Sequence, residues 1–185
     1  MKKISMRTHV LTGGLTLAAL GAGAFGAVSA NAATPAAAPA AAVAKADAAA
    51  GNTTQSTHLT IEAATEAAQA ALDAAKAENQ HVSVAVVDRN GNTLVTLRGD
   101  GAGPQSYESA EKKAYTAVSW NATTSTLAGR LAQTPNLKDI PGILFLGGGT
   151  PITAEGAPVA GIGVAGAPSG DLDEKFARAG VAAID

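Results

Sequence analysis

The chain has 185 residues, a formal charge of −2 and no cysteine. Without thiols it can build neither a disulfide scaffold, nor a thiolate zinc site, nor a c-type haem attachment. No basic run follows the first few residues, which excludes the electrostatic footprint of a DNA-binding or anionic-membrane-binding protein.

Residues 1–32 read as a secretory signal. Lys2, Lys3 and Arg7 form a positive start, an apolar stretch runs from Val10 to about Val28, and Ala30-Asn31-Ala32 fits the small-x-small cleavage rule. The stretch approaches the length of a membrane span, but its five glycines and the cleavage site favour a leader cut after Ala32. No twin-arginine pair is present, which points to the general secretion route. Losing Lys2, Lys3 and Arg7 moves the formal charge from −2 to −5, so the expected mature protein is a mildly acidic extracellular or envelope-associated one.

Residues 33–57 are mostly Ala, Pro, Asn, Thr, Gln and Ser and offer little branched apolar surface to offset ordering entropy. They predict a flexible tether, with Pro35 and Pro39 opposing the helix propensity of the alanines. Residues 58–185 are long enough for one domain with its own core.

Within that domain Thr60 predicts an N-cap and a helix to about Asn79. Its stripe is Ile61, Ala64, Ala68, Leu72 and Ala75, small enough for a close approach to a sheet. Val82–Asp88 predicts a central strand covered on both faces, Asn90-Gly91 a tight hairpin, and Thr93–Arg98 the return strand. After a glycine-rich loop, helices are expected over Ser106–Asn121 and Thr124–Gln133. A strand is expected over Ile143–Leu146, a tight turn at Gly147–Gly149 and a last strand over Pro158–Ala165. Asp171 and Glu174 have capping-box spacing and predict the start of a helix running to about Ala183. The fold class is α/β of the α+β type: a small antiparallel sheet with helices packed on its faces.

Glu108 and Glu111 stand at i and i+3 on the second helix, with Tyr115 one turn on. Paired carboxylates suit a hard cation such as iron; the bland alternative is a solvated face with Glu108 paired to Lys112. His58 is an imidazole beside the tether, either a metal ligand or an exposed residue without a role. With the thiolate and the leader's methionines removed, the usual axial haem ligands left are His58, His81, Tyr107 and Tyr115. His81 also reads as a hydrogen-bonded corner residue, Tyr107 as a hydrophobic anchor, and Trp120 either as a stacking surface for a porphyrin or as core. Gly147-Gly148-Gly149-Thr150 lacks the Lys-Ser/Thr ending of a phosphate loop, and Asp171 and Asp173 occupy the end of the last helix where an anion would bind. The two histidines beyond the leader lie in no recognisable nucleophile motif, so no Ser-His-Asp set assembles.

VSVAVVDRNGN, SYESAEKKAYTA, LFLGGGTPI and GAPVAGIGVAGAPSGDLDEKFARAG, in that order, resemble the GlcG/HbpS family of haem-degrading-domain proteins over essentially all of residues 58–185. The leader and tether resemble its secreted, haem-binding branch. The resemblance implies haem and iron as ligands, homo-oligomers (octamers in that branch) and a functional link to a membrane sensor kinase that responds to haem and redox stress. It implies an iron role for Glu108, Glu111 and His58, and leaves Tyr115, His81 and Trp120 as the haem-contacting candidates. Three functions are therefore expected in this order: a secreted haem- and iron-binding oligomer, a haem-degrading enzyme, and a ligand-free interaction domain.

Overall fold

The computed structural model describes residues 47–185. The expected leader and most of the expected tether lie outside the described residues. Residues 47–57 are exposed, with one short 3-10 turn over Ala50–Asn52. Among the described residues no helix is long and apolar enough to cross a membrane.

Helix α1 spans Ile61–Ala77 and starts where the sequence places it, with the Thr60 hydroxyl accepting from Ala63 N–H. Strands β1 (Ser83–Asp88) and β2 (Thr93–Arg98) form the hairpin that Asn90-Gly91 announces. Helix α2 spans Pro104–Trp120, two residues longer at its start than expected, because Pro104 sits at the first turn where its missing N–H costs nothing. It ends at Asn121 in the left-handed region (φ 45°). Helix α3 (Thr124–Arg130) is short, and α4 spans Gly170–Ala182.

The third strand is a correction. Ile143–Leu146 is not a strand. The Thr116 hydroxyl accepts from Leu144 N–H, and Phe145 is buried edge-to-face against Trp120, so this segment bonds to helix α2 rather than to a ladder. The strand is β3, Gly149–Ala154, so Gly149 opens a strand instead of closing a turn. Glu155 and Gly156, both at positive φ, turn the chain into β4 (Ala157–Ala165). Two features conceal β3 in the sequence. Pro151 demotes the run, yet is tolerated because β3 is an edge strand; and Glu-Gly is a weaker hairpin signal than Asn-Gly. The helix α4 cap is also corrected: Ser169 is the N-cap and accepts from Leu172 N–H, while Glu174 bonds elsewhere.

The sheet order is β2-β1-β4-β3, antiparallel throughout, an α+β architecture. One face buries Val84, Val86, Ile162 and Val164 against α1 and α4. Ile61, expected in the α1 stripe, is 51% exposed; Ala67 and Ala71 are buried there. The other face carries Ala85 and Val87 under Ala110, Ala114 and Val118 of α2. Gly161 and Gly163 make this second contact close: a Cβ on either would overlap the carbonyl oxygens of Ala114 or Ala110. The chain thus holds α2, with its acidic and aromatic side chains, flat against β1 and β4 and over the β1–β2 hairpin.

Candidate functional site

Three segments meet at the middle of α2. The Asp88–Thr93 hairpin tip is shaped by the carboxylate of Asp88, which accepts from Asn90 N–H and Asn92 N–H (2.8 Å each) and from the Asn92 amide. Burial alone would push Asp88 up, but these donors, with the nearby His58, hold it below its ordinary carboxyl range. The fixed turn presents Gly91 directly to the ring of Tyr115, where a Cβ would lie 2.9 Å from Cε2. Pro141-Gly142 supplies the other wall. The result is a cleft of about 340 Å3 lined by Val87, Gly91, Thr93, Glu111, Lys112, Tyr115 and this Pro-Gly pair.

The cleft gathers part of the expected set. Tyr115 is 38% exposed and faces it, and Glu111 lines it while accepting from the Thr96 hydroxyl at 3.2 Å. Glu108, one turn back, is exposed and bound to Lys112 at 2.6 Å, which holds its carboxyl below the usual range. The solvated i,i+4 pair expected as the bland alternative is therefore formed, while Glu111 takes a separate partner. The cleft offers a phenol oxygen, a carboxylate and, from Lys112, an ammonium group. This donor set fits a haem: an oxygen donor for the metal and a cation for a propionate. For iron alone, Glu108 and Glu111 would offer hard oxygen ligands from adjacent turns of one helix.

The remaining candidates lie elsewhere. His58 bonds to the Ser56 hydroxyl through Nε2 at 2.8 Å and lines a different cleft, with Leu59, Ile152 and Ile184. Among the described residues no three His, Asp or Glu side chains converge as a metal site. His58 is therefore not joined to the Glu108–Glu111 pair within one subunit. His81 sits at the α1–β1 corner with Nδ1 2.7 Å from the Asp100 carbonyl oxygen. A carbonyl only accepts, so Nδ1 carries the proton and Nε2 keeps its lone pair in the neutral ring. Its ring packs over Gly101, beside a separate cleft. Trp120 packs edge-to-face on Phe145 with centroids 5.7 Å apart, and Tyr107 is exposed.

Sequence reasoning missed Thr93, Gly91, Pro141 and Gly142 as walls of the cleft, and Thr96 as the partner of Glu111. Asn-Gly was legible as a turn, but which helix side chain the turn would meet depends on tertiary packing. It also missed Lys113, which turns inward from the same helix. Lys113 Nζ donates to Asp173 Oδ2 (2.7 Å) and to the Val164 carbonyl (2.9 Å).

Residues 59–182 match the family model described as "Haem degrading protein HbpS-like". The chain belongs to this family. Two solved HbpS structures agree with the family assignment. The Streptomyces reticuli HbpS with two Glu-to-Asp substitutions three residues apart is 74% identical, with a TM-score of 0.77, covering 78% of this chain and 99% of that one. A structure of HbpS is 76% identical, with a TM-score of 0.75, covering 76% and 99%. A more distant HbpS-like fold, a PduOC–haem complex, is 28% identical with a TM-score of 0.64, covering 70% of this chain and 96% of its own. No curated protein matches the chain significantly.

Proposed function

We propose that this HbpS-family chain is a secreted haem- and iron-binding oligomer that buffers or senses haem, iron and redox stress and modulates a membrane sensor kinase. The observation that carries the haem part is the α2 cleft. It sets the Tyr115 phenol, the Glu111 carboxylate and the Lys112 ammonium around one opening in a fold whose relative PduOC is a haem complex. Bound haem would supply redox chemistry. The chain's own residues would orient it: the Tyr115 ring lies between Gly91 and Gly142, and Lys112 beside it would meet a propionate.

Iron without porphyrin is assigned to Glu108 and Glu111. The Glu-to-Asp pair made in Streptomyces reticuli HbpS has their spacing, which supports this choice. Lys112 must release Glu108 for the two carboxylates to act together. Secretion and the kinase link rest on the leader-like residues 1–32 and on the family resemblance.

The test is a haem titration of residues 33–185. A saturable Soret band at fixed stoichiometry is expected, together with weaker iron binding in Glu108→Gln/Glu111→Gln and unchanged thermal stability. No Soret response overturns the haem reading, and unchanged iron affinity removes the metal assignment. The family description favours haem degradation as a second reading. Loss of the Soret band under a reductant, with release of product, would put it first; intact haem after many hours would remove it.

A further inference from the structure

The two edges of the sheet are built differently. Edge strand β3 carries Pro151, which has no N–H to offer a new strand. Edge strand β2, Thr93–Arg98, has no proline and no glycine, and its residues 94–97 are only half-buried. Its open side follows from the register. Gly99 N–H donates to the Val82 carbonyl, so by alternation Leu97 and Val95 bond towards β1. The main-chain N–H and C=O of Thr96 and Arg98 face away from the sheet.

We propose that β2 pairs antiparallel with β2 of a second copy of this chain, about a two-fold axis at Thr96. This rests on the oligomer reading above and names its surface. A two-fold axis through the edge keeps each face of the sheet continuous, so paired residues must share a face. Centring the axis on Thr96 meets that condition for residues 95–97 with the outward main-chain groups; beyond them the register shift at Val86/Val87 puts Leu94 on the α1 face with Val95 and Leu97, and the pairing ends there. Thr96 meets the second copy's Thr96 in a hydrogen-bonded pair, and Val95 meets its Leu97 on the α1 face, both favourable cross-strand pairs.

Charge agrees with this register. Thr96 and Arg98 lie on the α2 face, where the Thr96 hydroxyl donates to Glu111 and Arg98 Nη2 donates to the Ala102 carbonyl. In the paired strands Arg98 is diagonal to the second copy's Thr96 and so reaches towards the Glu111 that this threonine binds. Arg98 has further donors free for that carboxylate. Each of the two Glu111 groups near the axis is thereby answered by an arginine from the other chain. The same pairing places a second subunit against the mouth of the α2 cleft.

The chain has no cysteine, so Thr96→Cys creates its only thiol. In a hydrogen-bonded antiparallel pair the two Cα atoms lie about 5.5 Å apart, within the range a disulfide spans. Mild oxidation of purified residues 33–185 carrying Thr96→Cys is expected to give a covalent dimer, with Thr153→Cys on β3 as the exposed control that links far less. Thr96→Pro removes an outward N–H that β1 does not use, and is expected to lower the mass by light scattering while the far-ultraviolet spectrum stays native. Equal linking in the two cysteine variants, or an unchanged mass for a folded Thr96→Pro, overturns the pairing. A monomeric wild type overturns it together with the oligomer reading, and a Soret response in the same sample would then leave the haem reading standing. An oligomer without a Soret response would overturn only the haem reading.

Discussion

Lys113 Nζ lies 2.7 Å from Asp173 Oδ2, and both side chains are almost fully buried, 2% and 4% exposed. The pair ties α2, on one face of the sheet, to α4, on the other. It passes the edge where Gly148 leaves room for the ammonium group: a Cβ there would sit 2.7 Å from Nζ. The remaining polar atoms are satisfied, since Nζ also donates to Val164 and Asp173 Oδ1 accepts from Ala167 N–H. Removing one partner strands a charge in the interior. Lys113→Ala is therefore expected to cost about 3–5 kcal/mol in urea unfolding, and Lys113→Met/Asp173→Leu distinctly less than either single change. A double variant as unstable as the worse single variant would show that the pair contributes net stability.

The close seat of α2 gives a second prediction. Gly163→Ala must displace the Ala110 backbone of α2, since the new methyl group would overlap its carbonyl oxygen. Overpacking typically costs about 1–3 kcal/mol, and a backbone shift in the helix that carries the cleft adds to that. Gly156→Ala is the contrast. Nothing lies within 4 Å of its Cβ position, and only its φ of +79° opposes a side chain, so a loss of about 1 kcal/mol is expected. Thermal melts of both variants check the order; equal losses would mean that α2 moves freely off the sheet.

The sequence reading and the structure part company for physical reasons. Period and punctuation made α1, β1, β2 and the hairpin legible, because Thr60, the β-branched run and Asn90-Gly91 act locally. Strand β3 was hidden because its edge position, which makes Pro151 harmless, is a property of the whole sheet. Nothing local to Lys113 marks it as buried, and only the opening at Gly148 shows why it turns inward. The Glu108–Lys112 pair follows from helix spacing alone, whereas the link from Thr96 to Glu111 joins β2 to α2 and needs the fold.

Acid sensitivity follows from two buried carboxylates, Glu174 and Asp88, and is opposed by a third, Asp173. Burial pushes Glu174 up, but Arg178 (2.7 Å) together with the Ser125 hydroxyl and N–H outweigh it and hold the carboxyl below its ordinary range. Asp88 is lowered in the same net sense. A lowered folded value adds stability that is present above the unfolded value near 4 and is lost as pH falls through the folded one. Asp173 runs the other way: burial raises it more than Lys113 and the Ala167 and Gly166 N–H groups lower it. Its term weakens the fold as pH rises from 3.8 towards the raised value, and so it partly offsets the other two in acid. Urea midpoints are expected to fall below about pH 4. Glu174→Gln should be less stable than wild type at pH 7 and close to it at pH 3; a constant gap across that range would remove Glu174 from the acid response.

Tyr115 and His81, both haem-ligand candidates, lie in different clefts. Tyr115 lines the α2 cleft, with Glu111 and Lys112 beside it, whereas His81 is fixed at the α1–β1 corner by the Asp100 carbonyl. If haem enters the α2 cleft, Tyr115→Ala removes both its oxygen donor and the ring that fills the space between Gly91 and Gly142. A loss of at least about tenfold in haem affinity is expected, or roughly 1.4 kcal/mol, with a shifted Soret maximum. His81→Gln keeps a hydrogen-bond donor for Asp100 and is expected to leave the spectrum and affinity as in wild type. The reverse pattern, an altered spectrum in His81→Gln with Tyr115→Ala unchanged, would move the haem to the corner cleft, where His81 Nε2 holds the free lone pair.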